Sequence, residues 1–319
     1  MGTRSLSRAV LAAALVALAA GPASAGAAGR PEPPSVGAVK RATDRFLEQR
    51  GGERSRAAPP AARGPAPGPL LPGSRVVSLY GSPQMPATAV GMRSPEAALR
   101  KLTSQARPYD QLGVRPVVLE LDLASVLATA GPGADRKYRV RQDPEIISEY
   151  LSAARAAGAR LMLDIQPGRS TFKSEVRALR DWVAQPDVDV ALDPEWNVGR
   201  RGVPGRTEGA VGARELNRVI RILSATVRDG DLPPKLLVVH QFRPASVRGR
   251  ARVRPRFGVQ PLLNFDGIGS PRAKANGYVA LGTPRLFNGF SLFYQRDDPL
   301  MQPSAVLALE PEPDFLLYQ

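Results

Sequence analysis

Val188-Asp-Val-Ala-Leu-Asp-Pro-Glu-Trp196 is the stretch from which the fold is read. Its apolar residues make a buried strand, and the strand stops at two carboxylates, Asp193 and Glu195, with Trp196 beside them. The same form, an apolar run closed by polar residues, recurs along the chain. It is seen at Val76–Tyr80, Pro116–Leu121, Leu161–Ile165, Leu236–His240, Pro261–Phe265, Phe290–Tyr294 and Phe315–Tyr318. Helical patterns lie between most of these runs. Ser94 caps a helix that has Pro95 at its first position and Leu99, Leu102 and Ala106 on one face. Leu216, Val219, Ile220, Leu223 and Val227 repeat with the helical period.

Eight near-continuous apolar strands alternating with helices predict parallel pairing, buried on both faces. Eight such units need ~250 residues to close a (β/α)8 TIM-type barrel, which matches residues 75–319, with the chain ending on the eighth strand. An open doubly wound sheet is the rival. It normally carries a Gly-rich phosphate turn after the first strand, and Tyr80-Gly-Ser-Pro83 has no such pattern.

The first 25 residues stand apart. Arg4 and Arg8, an apolar Ala9–Ala20 core and Ala23-Ser24-Ala25 predict a signal peptide cleaved before Gly26, and hence a secreted, extracellular or cell-wall-associated protein. No later apolar run is long enough to cross a bilayer. Residues 26–74, rich in Pro, Ala, Gly and Arg, read as a disordered tether. The chain of 319 residues has no cysteine, which excludes disulfides, thiolate metal sites, a cysteine nucleophile and a lipid-modified N-terminus.

The net charge of +15 raises the question of polyanions. Arginine is scattered, and the one dense cluster, Arg248-Gly-Arg-Ala-Arg-Val-Arg-Pro-Arg256, holds no aromatic that could stack a base. It reads as a solvated basic loop or as a contact for an anionic envelope polymer, not as a specific nucleic-acid site.

In a barrel of this kind the site forms where the strands end. Collecting those ends gives Tyr80, Glu120, Asp164, Gln166, Asp193, Glu195, His240, Gln241, Asp266, Tyr294 and Tyr318. Asp193 and Glu195 are two apart, so on a strand they share a face, and their repulsion keeps a proton available near neutral pH. Glu195 is then the acid, Asp193 tunes it, and Asp164 or Asp266 is base, nucleophile or stabiliser. Tyr80, Gln166, His240 and Gln241 hold substrate hydroxyls, with Glu120, Tyr294 and Tyr318 lining the site. Trp196 stacks on a sugar or packs beneath the rim. No metal ligand set is assigned and no cofactor is required, although Glu120, Asp164, Asp193, Glu195 and Asp266 could hold Mg²⁺ or Ca²⁺ through oxygen. His240 is the only histidine, which rules out a multi-histidine zinc site, and no G-x-S-x-G is present for a serine hydrolase.

At Leu163-Asp-Ile-Gln-Pro-Gly168, Ala191-Leu-Asp-Pro-Glu-Trp196, Val239-His-Gln-Phe242 and Phe265-Asp-Gly267 the chain resembles a group of exported, partly lipoprotein-like bacterial proteins of predicted barrel fold. The likeness covers roughly residues 75–319 and implies no activity. A weaker similarity runs to chitinase-like barrel glycosidases, whose fourth strand ends in Asp-x-Glu as Asp193-Pro-Glu195 does. The upstream aspartates Asp187 and Asp189 are misplaced for that pattern, and the seventh strand offers Phe293-Tyr-Gln295 instead of a glutamate. These readings lead to a glycoside-hydrolase-like protein acting on a cell-envelope or extracellular glycan. The alternatives are a non-catalytic barrel that binds a glycan or anionic polymer, and a metal-assisted hydrolase using the same carboxylates.

Overall fold

The computed structural model describes residues 68–84 and 94–319; the leader and most of the tether lie outside the described residues. Eight parallel strands close into a barrel: β1 (Arg75–Gly81), β2 (Val117–Ala128), β4 (Arg160–Ile165), β5 (Val188–Leu192), β7 (Lys235–Gln241), β9 (Val259–Phe265), β10 (Phe287–Leu292) and β11 (Phe315–Tyr318). β1 pairs with both β2 and β11, which completes the ring. The fold is a (β/α)8 TIM barrel whose last described element is a strand. β3 (Arg139–Arg141) pairs antiparallel with the end of β2, and β6 (Val211–Gly212) with β8 (Val247–Arg248) forms a small separate ladder.

The helices follow from local sequence. In α1 (Pro95–Leu112) Ser94 Oγ accepts from the Ala97 amide at 3.3 Å, and Pro95 fixes the first helical position. α2 (Pro144–Ala156), α3 (Phe172–Ala178) and α4 (Arg180–Val183) follow β3 and β4. α5 (Ala213–Asp229) buries Leu216, Val219, Ile220, Leu223 and Val227, its expected apolar face. α6 (Pro271–Leu281) and α7 (Pro303–Leu307) are shorter.

Strand alternation divides the core in two. Outward residues such as Leu121, Leu163, Val190 and Val239 pack against the helices, and inward ones such as Met162, Ala191, Val238 and Leu317 fill the barrel. Residues 68–74 are not part of a solvated tether. Leu71 is 2 % exposed and joins the inner cluster, while Gln260 accepts from the Leu70 and Leu71 amides and donates to the Leu71 carbonyl, so this segment packs onto the barrel interior.

The inner face is more polar than a simple apolar filling. Arg160 Nη2 pairs with Asp189 Oδ2 at 2.7 Å, and Asp189 Oδ1 accepts from the Leu236 amide at 2.7 Å. Glu120 stands beside Arg160 in the strand register, fully buried, in mid-strand. Burial and then the Asp189 charge push its carboxyl well above the usual carboxylate range. The second strand was expected to stop at Leu121, which would put Glu120 at the mouth. It continues to Ala128, so Glu120 lies deep in the barrel and Asp122 stands nearer its open end.

Candidate metal centre

Three buried side chains from three strands meet at the C-terminal half of the barrel: Asp122 from β2, Asp164 from β4 and His240 from β7. One ligand atom from each lies within 4.8 Å of the other two, and His240 Nε2 is 3.9 Å from Asp164 Oδ2. Both Asp122 oxygens, Asp164 Oδ1 and His240 Nε2 are buried without a hydrogen-bond partner. Buried polar atoms are almost always satisfied, and an unsatisfied one costs about 1–3 kcal/mol. With one ligand atom from each residue so close, the three side chains form a buried cluster able to coordinate a divalent metal ion.

His240 is set for that role by its neighbours. Its Nδ1 is 2.6 Å from Asp266 Oδ2, so a proton held there leaves the Nε2 lone pair free. Asp266 is itself held: Oδ1 accepts from Asn264 Nδ2 at 2.7 Å and from Ser291 Oγ. Asn264 stands opposite His240 in the β7–β9 register. Burial alone would lower the imidazole pKa, but the charges of Asp266, Asp164 and Asp193 and the Asp266 hydrogen bond raise it well above its ordinary value.

The carboxyls of Asp122, Asp164, Asp193 and Glu195 shift upward. Burial is the main cause for Asp122, reinforced by Asp164. Asp164 is raised to about 6 by burial and Asp266, against the pull of His240. Asp193 is raised well above the usual range by burial, then by Glu195 and Asp164; its Oδ2 receives Gln166 Nε2 at 3.4 Å. Gln166 also donates to the Tyr80 hydroxyl at 3.0 Å and accepts from the Ala128 amide at 3.1 Å. Glu195 is raised to about 7, by burial and then by Asp266, so its carboxyl shares the field of the same centre.

Of the residues expected from sequence, the barrel brings together Tyr80, Asp164, Gln166, Asp193, Glu195, His240 and Asp266. It does not bring in the others. Gln241 points outward and donates to the Leu281 carbonyl at 3.0 Å. Tyr294 follows a strand that ends at Leu292; its hydroxyl donates to Gln105 of α1 at 3.2 Å and Lys101 sits 3.9 Å over its ring. Tyr318 belongs to the outer core, with its hydroxyl 2.6 Å from that of Tyr109. Trp196 is 7 % exposed and presents no open face for stacking. Asp122, Asn264 and Ser291 were not expected. Their signal is parity: Asp122 shares the inward face of Glu120, and Asn264 that of Asp266.

The acidic pair itself differs from the expectation. Asp193 has φ −110° and ψ 88°, and Pro194–Trp196 forms a 3₁₀ turn, so strand alternation does not set the Asp193–Glu195 relation. Proline after Asp193 has no amide hydrogen to extend the ladder.

Neither a protein-family model nor a curated protein matches the chain. Among solved structures it is similar to the HpcH/HpaI aldolase from Desulfitobacterium hafniense DCB-2, with 13 % identity, 77 % of this chain and 86 % of that chain covered, and a TM-score of 0.38. The expected kinship with exported lipoprotein-like barrels and chitinase-like glycosidases is withdrawn: no family model or curated protein supports it, and the strand ends meet in an Asp-Asp-His cluster. The glycosidase reading and its glycan or envelope-polymer partner are withdrawn on the geometry of the mouth. The mouth is centred on an Asp-Asp-His cluster, Trp196 is covered, Glu120 lies deeper in the barrel beside Arg160, and Gln241, Tyr294 and Tyr318 are engaged elsewhere.

Proposed function

We propose that the chain is a divalent-metal-dependent enzyme that makes or breaks a bond beside a carbonyl of a small substrate. The observation that carries this reading is the set of buried, unpartnered ligand atoms on Asp122, Asp164 and His240. Two carboxylates and one imidazole suit Mn²⁺ or Mg²⁺ better than Ca²⁺, which collects six to eight oxygens. A cation there supplies a Lewis acid that polarises the substrate oxygen it binds.

The chain's own residues do the remaining work. Asp266, fixed by Asn264 and Ser291, holds the His240 ring with Nε2 toward the cluster. Gln166 ties Asp193 and Tyr80 into one wall. Glu195, with a pKa of about 7, accepts a proton from a substrate hydroxyl or carbon acid and returns it at neutral pH. An amine-based route has no support in this barrel. Among the described residues, Lys235 donates to the Gln185 and Val188 carbonyls, and Lys274 is committed to Ser291 and Asp297. No other barrel strand carries a lysine.

The test is turnover of a panel of small hydroxy- and oxo-acids by the full chain, loaded with Mn²⁺ or Mg²⁺ and then stripped by chelator. Turnover should require the metal and survive borohydride. Glu195→Gln should keep the metal and lose at least ~100-fold in kcat. Metal-independent turnover, or trapping of a substrate on lysine by borohydride, would overturn the reading.

A further inference from the structure

The crossover from β7 to β9 is covered by an extended basic loop where a barrel of this class usually has a helix. It runs beside α5. Asn217 Nδ2 donates to the Arg252 carbonyl at 2.9 Å and Asn217 Oδ1 accepts from the Arg254 amide at 2.9 Å. Further along, Gly258 lies so close to Val227 that a Cβ there would stand 2.4 Å from Val227 Cγ1. Between these two fastenings the loop is held along the outer wall, and Val253 packs against the core.

This arrangement puts two rows of arginines side by side. α5 exposes Arg214, Arg218 and Arg221, and the loop exposes Arg252, Arg254 and Arg256. None of the six has a salt bridge to a described residue. The acids of α5 are turned to other work: Glu215 accepts from the Phe172 amide and Asn197, and Asp229 pairs with Arg228. Beside Arg256 stands Phe257, 76 % exposed. Like charges held together by two separate anchors, with a large apolar ring left in water, are unfavourable for the isolated molecule. They match a flat anionic surface with an apolar layer just below it, where arginine heads meet phosphates and an aromatic ring enters the headgroup boundary.

We propose that this face, α5 together with the loop before β9, docks the protein on an anionic phospholipid bilayer. A soluble polyanion such as polyphosphate would use the arginines but leave Phe257 unemployed.

The experiment is sedimentation of the full chain with phosphatidylcholine vesicles, with and without ~30 % phosphatidylglycerol; each basic residue near such a surface contributes about 1 kcal/mol. The protein should partition onto the anionic vesicles, more weakly as salt rises. Arg252→Gln, Arg254→Gln and Arg256→Gln together should reduce partitioning by ~100-fold, as should Arg214→Gln, Arg218→Gln and Arg221→Gln. Phe257→Ala should reduce it several-fold, with the thermal melt unchanged in each variant. Equal partitioning by wild type and both triple variants, no effect of Phe257→Ala, or tighter binding to soluble polyphosphate than to vesicles would overturn the proposal.

Discussion

Asp122 is the residue on which the site turns. Both its oxygens are buried without a donor, and burial pushes its carboxyl well above the usual carboxylate range in the metal-free protein. Asp122→Asn removes a ligand and also removes an ionisable group from an unfavourable place. The metal-free variant should therefore be as stable as wild type or more so, by about 1 kcal/mol, while its metal affinity falls by ~100-fold or more. Denaturant melts and metal titrations of the two proteins check both halves. Asp266 acts one step further out, through His240. Asp266→Asn should weaken the metal by ~10–100-fold without removing it, because the imidazole loses the partner that fixes its tautomer. At this scale the sequence was legible where a polar residue closed a strand, as with Asp164, His240 and Asp266. It was misleading at Asp122, because a charged residue inside an apolar run reads as the end of a strand, whereas on the inner face of a barrel it is a strand residue pointing at the axis.

The elements were easier to read than their limits. Seven apolar runs matched their strands to within a few residues, and α5 followed its helical period. The second and seventh strands show why boundaries fail. β10 begins at Phe287, and its Asn288-Gly289 pair carries the composition of a turn. Gly289 is there because a Cβ would stand 2.5 Å from Asn264 Oδ1, beside the ring of polar contacts that holds Asp266. That constraint is a contact between strands and leaves no mark on the local sequence. The turn after β4 gives a test at this scale. Gly168 has φ +60°, and a Cβ there would stand 2.4 Å from the Lys137 and Tyr138 carbonyl oxygens. Gly168→Ala should cost about 2 kcal/mol or more. It should also loosen Gln166, two residues upstream, so that kcat falls while metal stoichiometry holds.

The whole molecule carries its acidic centre at a cost that depends on pH. Asp122, Asp164, Asp193 and Glu195 all have folded pKa values above the ordinary carboxylate value of ~4, and His240 is raised above its own of ~6.5. The folded, metal-free protein therefore binds more protons than the unfolded chain, and its stability falls as pH rises from ~4 upward. Two arginine-paired carboxylates have the opposite sign. For Glu175, hydrogen bonds from Arg141 and Ser170 and the charge of Arg139 outweigh burial and hold the pKa low; for Asp187, Arg155 does the same. Their contribution is present above the unfolded value of ~4 and is lost as pH falls through the lower folded values. Chelated protein should melt at a higher temperature near pH 5 than near pH 8, and Glu175→Gln should flatten the decline below pH 4. Added Mn²⁺ should raise the melting temperature more at pH 8 than at pH 5, because the metal competes with protons for the same atoms. Closure of the barrel was readable from eight repeated units, but the convergence of three strands on one cation site was not, since it depends on the stagger of strands far apart in sequence.

The most direct test is calorimetric titration of the chelator-stripped full chain with Mn²⁺ at pH 7.5, beside Asp122→Asn and His240→Ala, in two buffers of different ionisation enthalpy. One Mn²⁺ bound per chain, with protons released on binding and with the site lost in both variants, is the expected result. No binding by the wild type, or binding that both variants retain, would contradict the assignment of Asp122, Asp164 and His240 as the metal centre.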